Sequence, residues 1–216
     1  MLRLALLIGL FWSVNVMAAD YVEGQHYTVL SNPVAITNPQ KIEVVELFSY
    51  HCHYCFEFEP LLKTWKAKQA EDVVFTQMPA FWSEQTEPWV RGFYTAQILG
   101  IIDQTHMPAF NMFQIEKKQL NRAIEWANLY AKYDVTVEET VKTYNSWDVT
   151  KLASQTQMQM RNNYGASSTP ELYVQGKYKI ESNKDVPTQE QMLQVADFLI
   201  AKERKQLQNS IEQSKK

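Results

Sequence analysis

Hydrophobic positions in the first third of the chain follow two different periods. Residues 42–48 and 73–78 are apolar runs rich in β-branched residues, which is typical of buried strands, and a short edge strand is expected at 27–30. Between the two runs, apolar residues recur at helical spacing: Phe58, Leu61, Leu62 and Trp65. Strand, helix and strand in this order predict a βαβ unit with parallel strands.

Helical patterns replace the strand pattern over residues 83–164. Thr86 is expected to cap the first helix of this block, and the last helix is expected to end at Gly165. Thr136 and Glu139 have the spacing of a capping box, in which side chains bond to the free N–H groups of a helix start. The pattern therefore predicts an all-helical insertion.

The strand pattern returns at 171–174 and 177–180, and Gln175-Gly176 can join these two strands as a hairpin. A second capping box, at 188–191, opens a C-terminal helix. The order predicts an α/β protein with a thioredoxin-like fold, a central mixed sheet and an inserted all-helical subdomain. The expected parts are 19–82 and 165–216 for the thioredoxin-like domain and 83–164 for the insertion.

The first 18 residues have the layout of a secretory signal peptide. Arg3 precedes an apolar run at 4–12 that is too short to span a bilayer comfortably. Val16 and Ala18 suit the small-residue positions of a signal-peptidase site, so cleavage is expected after Ala18, with the next bond as second choice. An uncleaved membrane anchor is the alternative. We expect export.

The formal net charge of −3 falls to −4 when Arg3 leaves with the signal peptide. Lys and Arg are scattered, so nucleic acid is not an expected partner. The chain has only two cysteines, Cys52 and Cys55. A bridge around so short a loop restricts the unfolded chain little, which favours a redox-active disulfide over a structural one.

The predicted helix start at Cys52 suits thiol–disulfide exchange. Helix N–H groups and the macrodipole favour a Cys52 thiolate, and His51 and His53 could add positive charge. Cys55 lies one turn into the helix and would be shielded, as a resolving thiol requires. The alternatives are an inert bridge and a metal site at 51–55, although consecutive residues rarely aim at one ion and no second ligand cluster exists; no metal is expected.

Four segments of the mature chain resemble the DsbA family of periplasmic dithiol oxidases. They are ADYVEG at 19–24, YTVL at 27–30, ELFSY at 46–50 and VQGKY at 174–178. The resemblance implies a periplasmic oxidase that passes its disulfide to newly exported, reduced proteins. It also implies recharging by a membrane quinone reductase of the DsbB type, and no cofactor of its own.

The same resemblance assigns roles to three further residues. Thr169-Pro170 matches the family's cis-proline position, where the Thr169 backbone can pair with a substrate chain; an ordinary trans proline is the alternative. Glu46 matches a buried acid that moves protons beneath the resolving cysteine. The basic residue that usually accompanies this acid is replaced by Gln77, so Glu46 is expected either to carry protons or to have a structural partner.

The residues between the cysteines depart from the family pattern. DsbA-type oxidases have Pro then His, whereas this chain has His53 then Tyr54. Because a neutral phenol stabilises a thiolate less than an imidazolium does, the sequence predicts a weaker oxidant. A disulfide isomerase or reductase, and a thioredoxin-fold chaperone or binding module, are the alternative functions. A monomer is expected, and His26 and His106 receive no role.

Overall fold

The computed structural model describes residues 21–214, so the predicted signal peptide and its cleavage site lie outside the described residues. The strands are β1 (Thr28–Val29), β2 (Ile42–Phe48), β3 (Val73–Pro79), β4 (Glu171–Val174) and β5 (Tyr178–Glu181). The helices are α1 (His53–Lys66), α2 (Glu87–Ile98), α3 (Ile102–Gln114), α4 (Ala123–Tyr130), α5 (Val137–Tyr144), α6 (Trp147–Met158), which continues into a π-helix (Gln159–Tyr164), and α7 (Gln189–Ser214). Across residues 21–214, no helix has both the length and the hydrophobicity needed to cross a membrane.

The five strands form one sheet in the order β1-β5-β4-β2-β3. β2 and β3 are parallel, as the βαβ pattern predicts, whereas β2 with β4, β4 with β5 and β5 with β1 are antiparallel. The predicted mixed sheet with a helical insertion, α2–α6, is therefore confirmed.

Side chains on the two faces of the sheet belong to two separate hydrophobic cores. Ile42 and Val44 of β2 pack in one core with residues of α1 and α7, such as Phe58. Leu47, with the opposite side-chain direction, belongs to the second core, which the helical insertion completes. The insertion therefore covers one face of the sheet, and α1 and α7 cover the other.

Most local sequence signals act as predicted. The Thr136 hydroxyl accepts a hydrogen bond from the Glu139 N–H at 3.1 Å, and Gly165 ends the last helix of the insertion with φ 55°. Thr86 is an exception, because its hydroxyl accepts from the N–H groups of Trp82 and Ser83 rather than from the helix.

The hairpin between β4 and β5 differs from the prediction by one residue. The Lys177 N–H donates to the Val174 carbonyl at 3.0 Å and closes the turn, so β5 begins at Tyr178 rather than at Lys177. Gln175 and Gly176 both have positive φ, at 55° and 58°, as a two-residue hairpin turn of this kind requires.

Candidate active site

Cys52 lies at the junction between the sheet and α1. β2 ends at Phe48, and Cys52 is the N-cap of the helix that begins at His53. Its sulfur accepts a hydrogen bond from the backbone N–H of Cys55 at 3.3 Å. Cys52 is partly exposed, whereas Cys55 is fully buried and contributes to the core. The helix therefore begins where the sequence predicts it.

The surroundings of Cys52 favour its thiolate. A hydrogen bond from the Cys55 thiol is the largest influence lowering the pKa of Cys52, which falls to about 6 although burial acts in the opposite direction. Thr169 and the backbone N–H groups of Cys55 and Tyr54 lower this pKa further. At neutral pH, Cys52 is therefore mainly a thiolate.

Cys55 has the opposite environment. Burial raises the pKa of its thiol far above the ordinary range, and the hydrogen bond to Cys52 and the nearby Glu46 carboxyl raise it further. Cys55 therefore remains a protonated thiol in the reduced protein and can donate its hydrogen to Cys52. At neutral pH, Cys52 is therefore an anion, whereas Cys55, one helical turn later, is uncharged.

The peptide bond between Thr169 and Pro170 is cis, as the sequence predicts. The Thr169 carbonyl lies 3.2 Å from the Cys52 sulfur and accepts its hydrogen bond when the thiol is protonated. A surface cavity of about 370 Å³ begins beside this bond. Its lining comprises Tyr54, Ser168, Thr169, Pro170, Ser182, Pro187, Gln189 and Met192.

The two residues between the cysteines point away from the buried sulfur. His53 Nε2 lies 3.2 Å from Glu57 Oε1, one turn along the helix. The Tyr54 side chain is 67% exposed, and its carbonyl accepts a hydrogen bond from Gln189 at 2.5 Å. Tyr54 thus acts on Cys52 through its backbone N–H, and the tuning roles of the two side chains stay predictions.

His51 lies on the other side of Cys52 and stacks on Trp89 of the helical insertion. The ring centroids are 5.7 Å apart and the planes differ by 6°. Both residues line a second surface cavity of about 330 Å³, to which Cys52 and Thr169 also contribute. Cys52 therefore lies between two concave surfaces.

Glu46 is fully buried on β2 beneath the cysteines. Its Oε2 accepts a hydrogen bond from Gln77 Nε2 at 2.8 Å, and its Oε1 has no partner among the described residues. Burial, followed by the neighbouring Glu59 carboxylate, raises the pKa of Glu46 well above its ordinary value, although the Gln77 bond acts to lower it. The buried site therefore disfavours the ionised form of Glu46.

The register of the parallel strands brings Gln77 to Glu46, which are paired directly across β2 and β3. The same Gln77 amide nitrogen donates to Glu59 Oε1 at 2.7 Å. One glutamine thus connects two acids, and it occupies the position that a basic residue has in the family pattern.

His106 extends this network, although sequence analysis assigned it no role. It is 6% exposed, its Nε2 lies 3.0 Å from Glu59 Oε1 and its Nδ1 lies 3.0 Å from the Tyr50 hydroxyl. The same Nε2 also lies 3.2 Å from Gln77 Nε2, so the His106 ring contacts an acid, an amide and a phenol at once. Glu59 could have been found from its position four residues after Cys55, but no sequence signal connects His106 to it.

A cavity of about 620 Å³ reaches this network from the surface. Glu59, Gln77 and His106 lie along its wall, and the charged residues Lys63, Lys66 and Asp103 are also part of the lining. Across the part of the chain that the structure describes, no three His, Cys, Asp or Glu side chains are grouped as a metal site would require.

Known proteins share this sequence and architecture. No protein-family model matches the chain. The thiol:disulfide interchange protein DsbA of Pseudomonas aeruginosa is 34% identical over 204 residues, covering 94% of both chains. DsbA of Pseudomonas syringae is 31% identical over 201 residues, covering 93% of both.

Solved structures agree. The crystal structure of Pseudomonas aeruginosa DsbA matches with a TM-score of 0.82 and 33% identity, over 88% of this chain and 98% of that one. The oxidoreductase DsbA from Xylella fastidiosa matches with a TM-score of 0.78 and 30% identity, over 85% and 98%.

The chain belongs to the DsbA family of thiol:disulfide interchange proteins.

As a DsbA family member it is a thiol:disulfide oxidoreductase, and Cys52 and Cys55 are its CxxC pair. The resemblance found in the sequence is thus confirmed over nearly the whole chain. Thiol:disulfide exchange needs space for a second polypeptide beside the exposed sulfur, and the two cavities next to Cys52 offer such space.

The pH dependence of Cys52 alkylation tests the proposed thiolate. Because the pKa of Cys52 is lowered to about 6, the rate of iodoacetamide reaction with the reduced protein should rise with a midpoint near that pH. A Cys55→Ala variant loses the largest stabilising hydrogen bond, so its midpoint should move toward about 8.5. A parent midpoint near that ordinary value would contradict the described environment.

Exchange of the two residues between the cysteines tests their effect on redox poise. A double variant His53→Pro, Tyr54→His places an imidazole next to Cys55, and a protonated imidazole stabilises the Cys52 thiolate more than a phenol does. The variant should show a lower Cys52 pKa and a higher reduction potential in equilibrium with glutathione. An unchanged potential would mean that the helix start and the Cys55 thiol already supply the stabilisation.

Proposed function

We propose that this protein oxidises pairs of thiols in exported proteins by donating the Cys52–Cys55 disulfide. The observation that carries the proposal is the pairing of an exposed, acidic Cys52 with a buried, non-acidic Cys55. A stabilised Cys52 thiolate favours the reduced protein over its disulfide. The disulfide is therefore readily given to a substrate.

The reaction proceeds in two exchanges. A substrate thiolate attacks the Cys52 sulfur, the Cys52–Cys55 bond breaks, and Cys55 leaves as a thiolate that takes up a proton. The second substrate thiolate then attacks the substrate sulfur of this mixed disulfide and expels Cys52 as a thiolate. The substrate loses two electrons and the protein gains them as a dithiol.

Thr169 orients the substrate in the first exchange. Its backbone lies beside the Cys52 sulfur and borders both cavities next to it. An extended substrate segment that pairs with this backbone as an added strand would bring its own sulfur into line with Cys52. Pro170 is buried next to this position and lines the larger of the two cavities.

Glu46 supplies the proton that Cys55 needs. A thiolate leaving into a buried site is costly, and Glu46 is a buried acid with a raised pKa whose ionised form would raise the pKa of Cys55 further. The cavity that reaches Glu59, Gln77 and His106 lets solvent return a proton to this network. Gln77 connects Glu46 to Glu59 in the place of a basic residue.

The family also implies a place of action and a recharging partner. We propose that the protein works in the periplasm after removal of residues 1–18, as a monomer. A DsbB-type membrane quinone reductase would return the reduced dithiol to the disulfide. Reduced exported proteins are the substrates.

Disulfide isomerisation or reduction is the second candidate function. The exposed phenol of Tyr54 supports it, because this side chain takes the position of an imidazole that would stabilise the thiolate. The resting state of the cysteines in the periplasm separates the functions. An oxidase is held as the disulfide, and an isomerase or reductase is held as the dithiol.

Trapping of mixed disulfides tests the two cysteine roles. In a Cys55→Ala variant the Cys52 thiolate can attack a disulfide of an exported protein, but the thiol that would resolve the mixed disulfide is missing, so exported proteins should accumulate bound to Cys52 and be released by dithiothreitol. A Cys52→Ala variant is the matched control and should trap little, because Cys55 is buried and protonated. Stronger trapping by the control would reverse the assignment.

Replacement of Glu46 by Gln tests its proton role. The variant should slow mixed-disulfide formation by about a hundredfold, the lower range for loss of a general acid, without weakening equilibrium binding of a substrate peptide. Because burial raises the pKa of Glu46, the folded protein disfavours the ionised form of this side chain. The parent protein therefore loses stability as pH rises above about 4.3, the ordinary pKa of a glutamate. The melting temperature of E46Q should therefore exceed that of the parent by a margin that grows from pH 4 to pH 8. A margin that does not change with pH, or an unchanged exchange rate, would contradict the role.

A further inference from the structure

A buried carboxylate lies directly behind the Thr169-Pro170 bond. Glu171, the first residue of β4, is fully buried. Its Oε1 accepts hydrogen bonds from the backbone N–H groups of Ser167 and Ser168 at 3.1 and 2.8 Å. The hydroxyls of both serines donate to the same oxygen at 3.0 Å each. Four donors from two consecutive loop residues thus converge on one atom.

The charge of Glu171 is compensated inside the protein. Lys179 Nζ lies 3.0 Å from Glu171 Oε1 and 2.9 Å from Glu181 Oε2, and the Tyr173 hydroxyl donates to the other Glu171 oxygen. Burial acts to raise the pKa of Glu171, but Tyr173 and Lys179 hold that pKa below its ordinary value. The carboxylate is therefore ionised at neutral pH and is a strong acceptor for the loop N–H groups.

The bound loop continues directly into the residue beside the reactive sulfur. Ser168 precedes Thr169, whose carbonyl lies 3.2 Å from Cys52 Sγ. Ser167 and Ser168 are exposed, and Glu171 is the acceptor for both of their backbone N–H groups, while the Ser167 hydroxyl also contacts Lys179 and Glu181. The bonds to Glu171 therefore set the position of the Thr169 backbone relative to Cys52.

We propose that Glu171 is a positioning residue that holds the 167–169 loop in the conformation a substrate chain pairs with, and so determines the affinity for polypeptide substrates. It does not touch the sulfurs. A loop already held in its pairing conformation lowers the ordering cost that binding would otherwise carry. The inference rests on the proposed pairing of substrate with Thr169.

The chain contains a matched control for this group. Glu203 is also buried, at 4% exposure, and has a lysine and a tyrosine as partners, Lys177 at 2.6 Å and Tyr178 at 2.9 Å. This second acid–lysine–tyrosine group lies between β5 and α7. Loss of its charge perturbs an ion pair of a buried acid with a partly exposed lysine, without removing a bond to the 167–169 loop.

Oxidation kinetics of the E171Q and E203Q variants test the proposal. The substrates are a peptide with two cysteines and dithiothreitol, which has no backbone to pair with Thr169. E171Q should raise KM for the peptide about tenfold, which corresponds to about 1.4 kcal/mol, and leave kcat and the dithiothreitol rate within about twofold. E203Q should leave all three unchanged, even when thermal unfolding shows that both variants lose similar stability.

Three results would overturn the proposal. The first is an equal peptide KM for E171Q and E203Q. The second is an equal loss of rate with the peptide and with dithiothreitol. The third is a peptide KM that E171Q leaves unchanged in both the oxidation and the reduction reaction. If E171Q does not fold, the S167A/S168A double variant keeps the ion pair and loses two of the four loop bonds to Glu171, together with the contacts of the Ser167 hydroxyl with Lys179 and Glu181. It should raise the peptide KM by a smaller factor, and an unchanged KM would refute the role.

The comparison of E171Q with E203Q still tests the role of Glu171 if the protein reduces disulfides instead of forming them. A parent protein that only reduces peptide disulfides would contradict the proposed oxidase function. Reduction also passes through a peptide paired beside Cys52, so the difference in KM between E171Q and E203Q is still expected. Failure of the oxidase proposal and failure of the Glu171 role thus give different results.

Discussion

A helix leaves its first N–H groups without partners, and in this protein that property determines the chemistry of both cysteines. Cys52 is the N-cap of α1, so its sulfur receives the Cys55 N–H and lies at the positive end of the helix. Cys55, one turn later, faces the core and remains a thiol that donates to Cys52. The contrast between an exposed anion and a buried neutral group makes directional exchange possible.

Two carboxyl groups of this site are buried for different purposes. Glu46 has one oxygen without a partner among the described residues and a neighbouring acid, so its pKa is raised beneath Cys55. Glu171 has a lysine, a tyrosine and four loop donors, so it stays ionised behind Thr169. Burial acts to raise the pKa of both groups; the Glu59 carboxyl adds to this effect for Glu46, whereas Tyr173 and Lys179 reverse it for Glu171.

The helical insertion contributes to the site from its first two helices, α2 and α3. Trp89 of α2 stacks on His51 beside the exposed sulfur, and His106 of α3 bonds to Glu59 on the side of the buried acids. The insertion therefore does more than cover one face of the sheet. His106 lies along the wall of the cavity near Glu59 and bonds to Glu59, whose carboxyl raises the pKa of Glu46.

The sequence by itself determined the features that depend on local physics. Strand periodicity, capping pairs such as Thr136 with Glu139, the Gln175-Gly176 turn and the helix start at Cys52 involve interactions within a few residues. The element order then predicted the mixed sheet, and the spacing of the two cysteines predicted their chemistry. Family resemblance added the cis bond before Pro170.

Only the tertiary structure decided which distant side chains meet. His106 lies 47 residues from Glu59, and Gln77 meets Glu46 from 31 residues away through the register of β2 and β3, so no local spacing connects either pair. The charge states of Glu46 and Glu171 also depend on such meetings, because a buried acid is tuned by the groups packed around it. A sequence pattern records which face a residue takes, but the partners on that face are determined by packing between segments that are far apart in the chain.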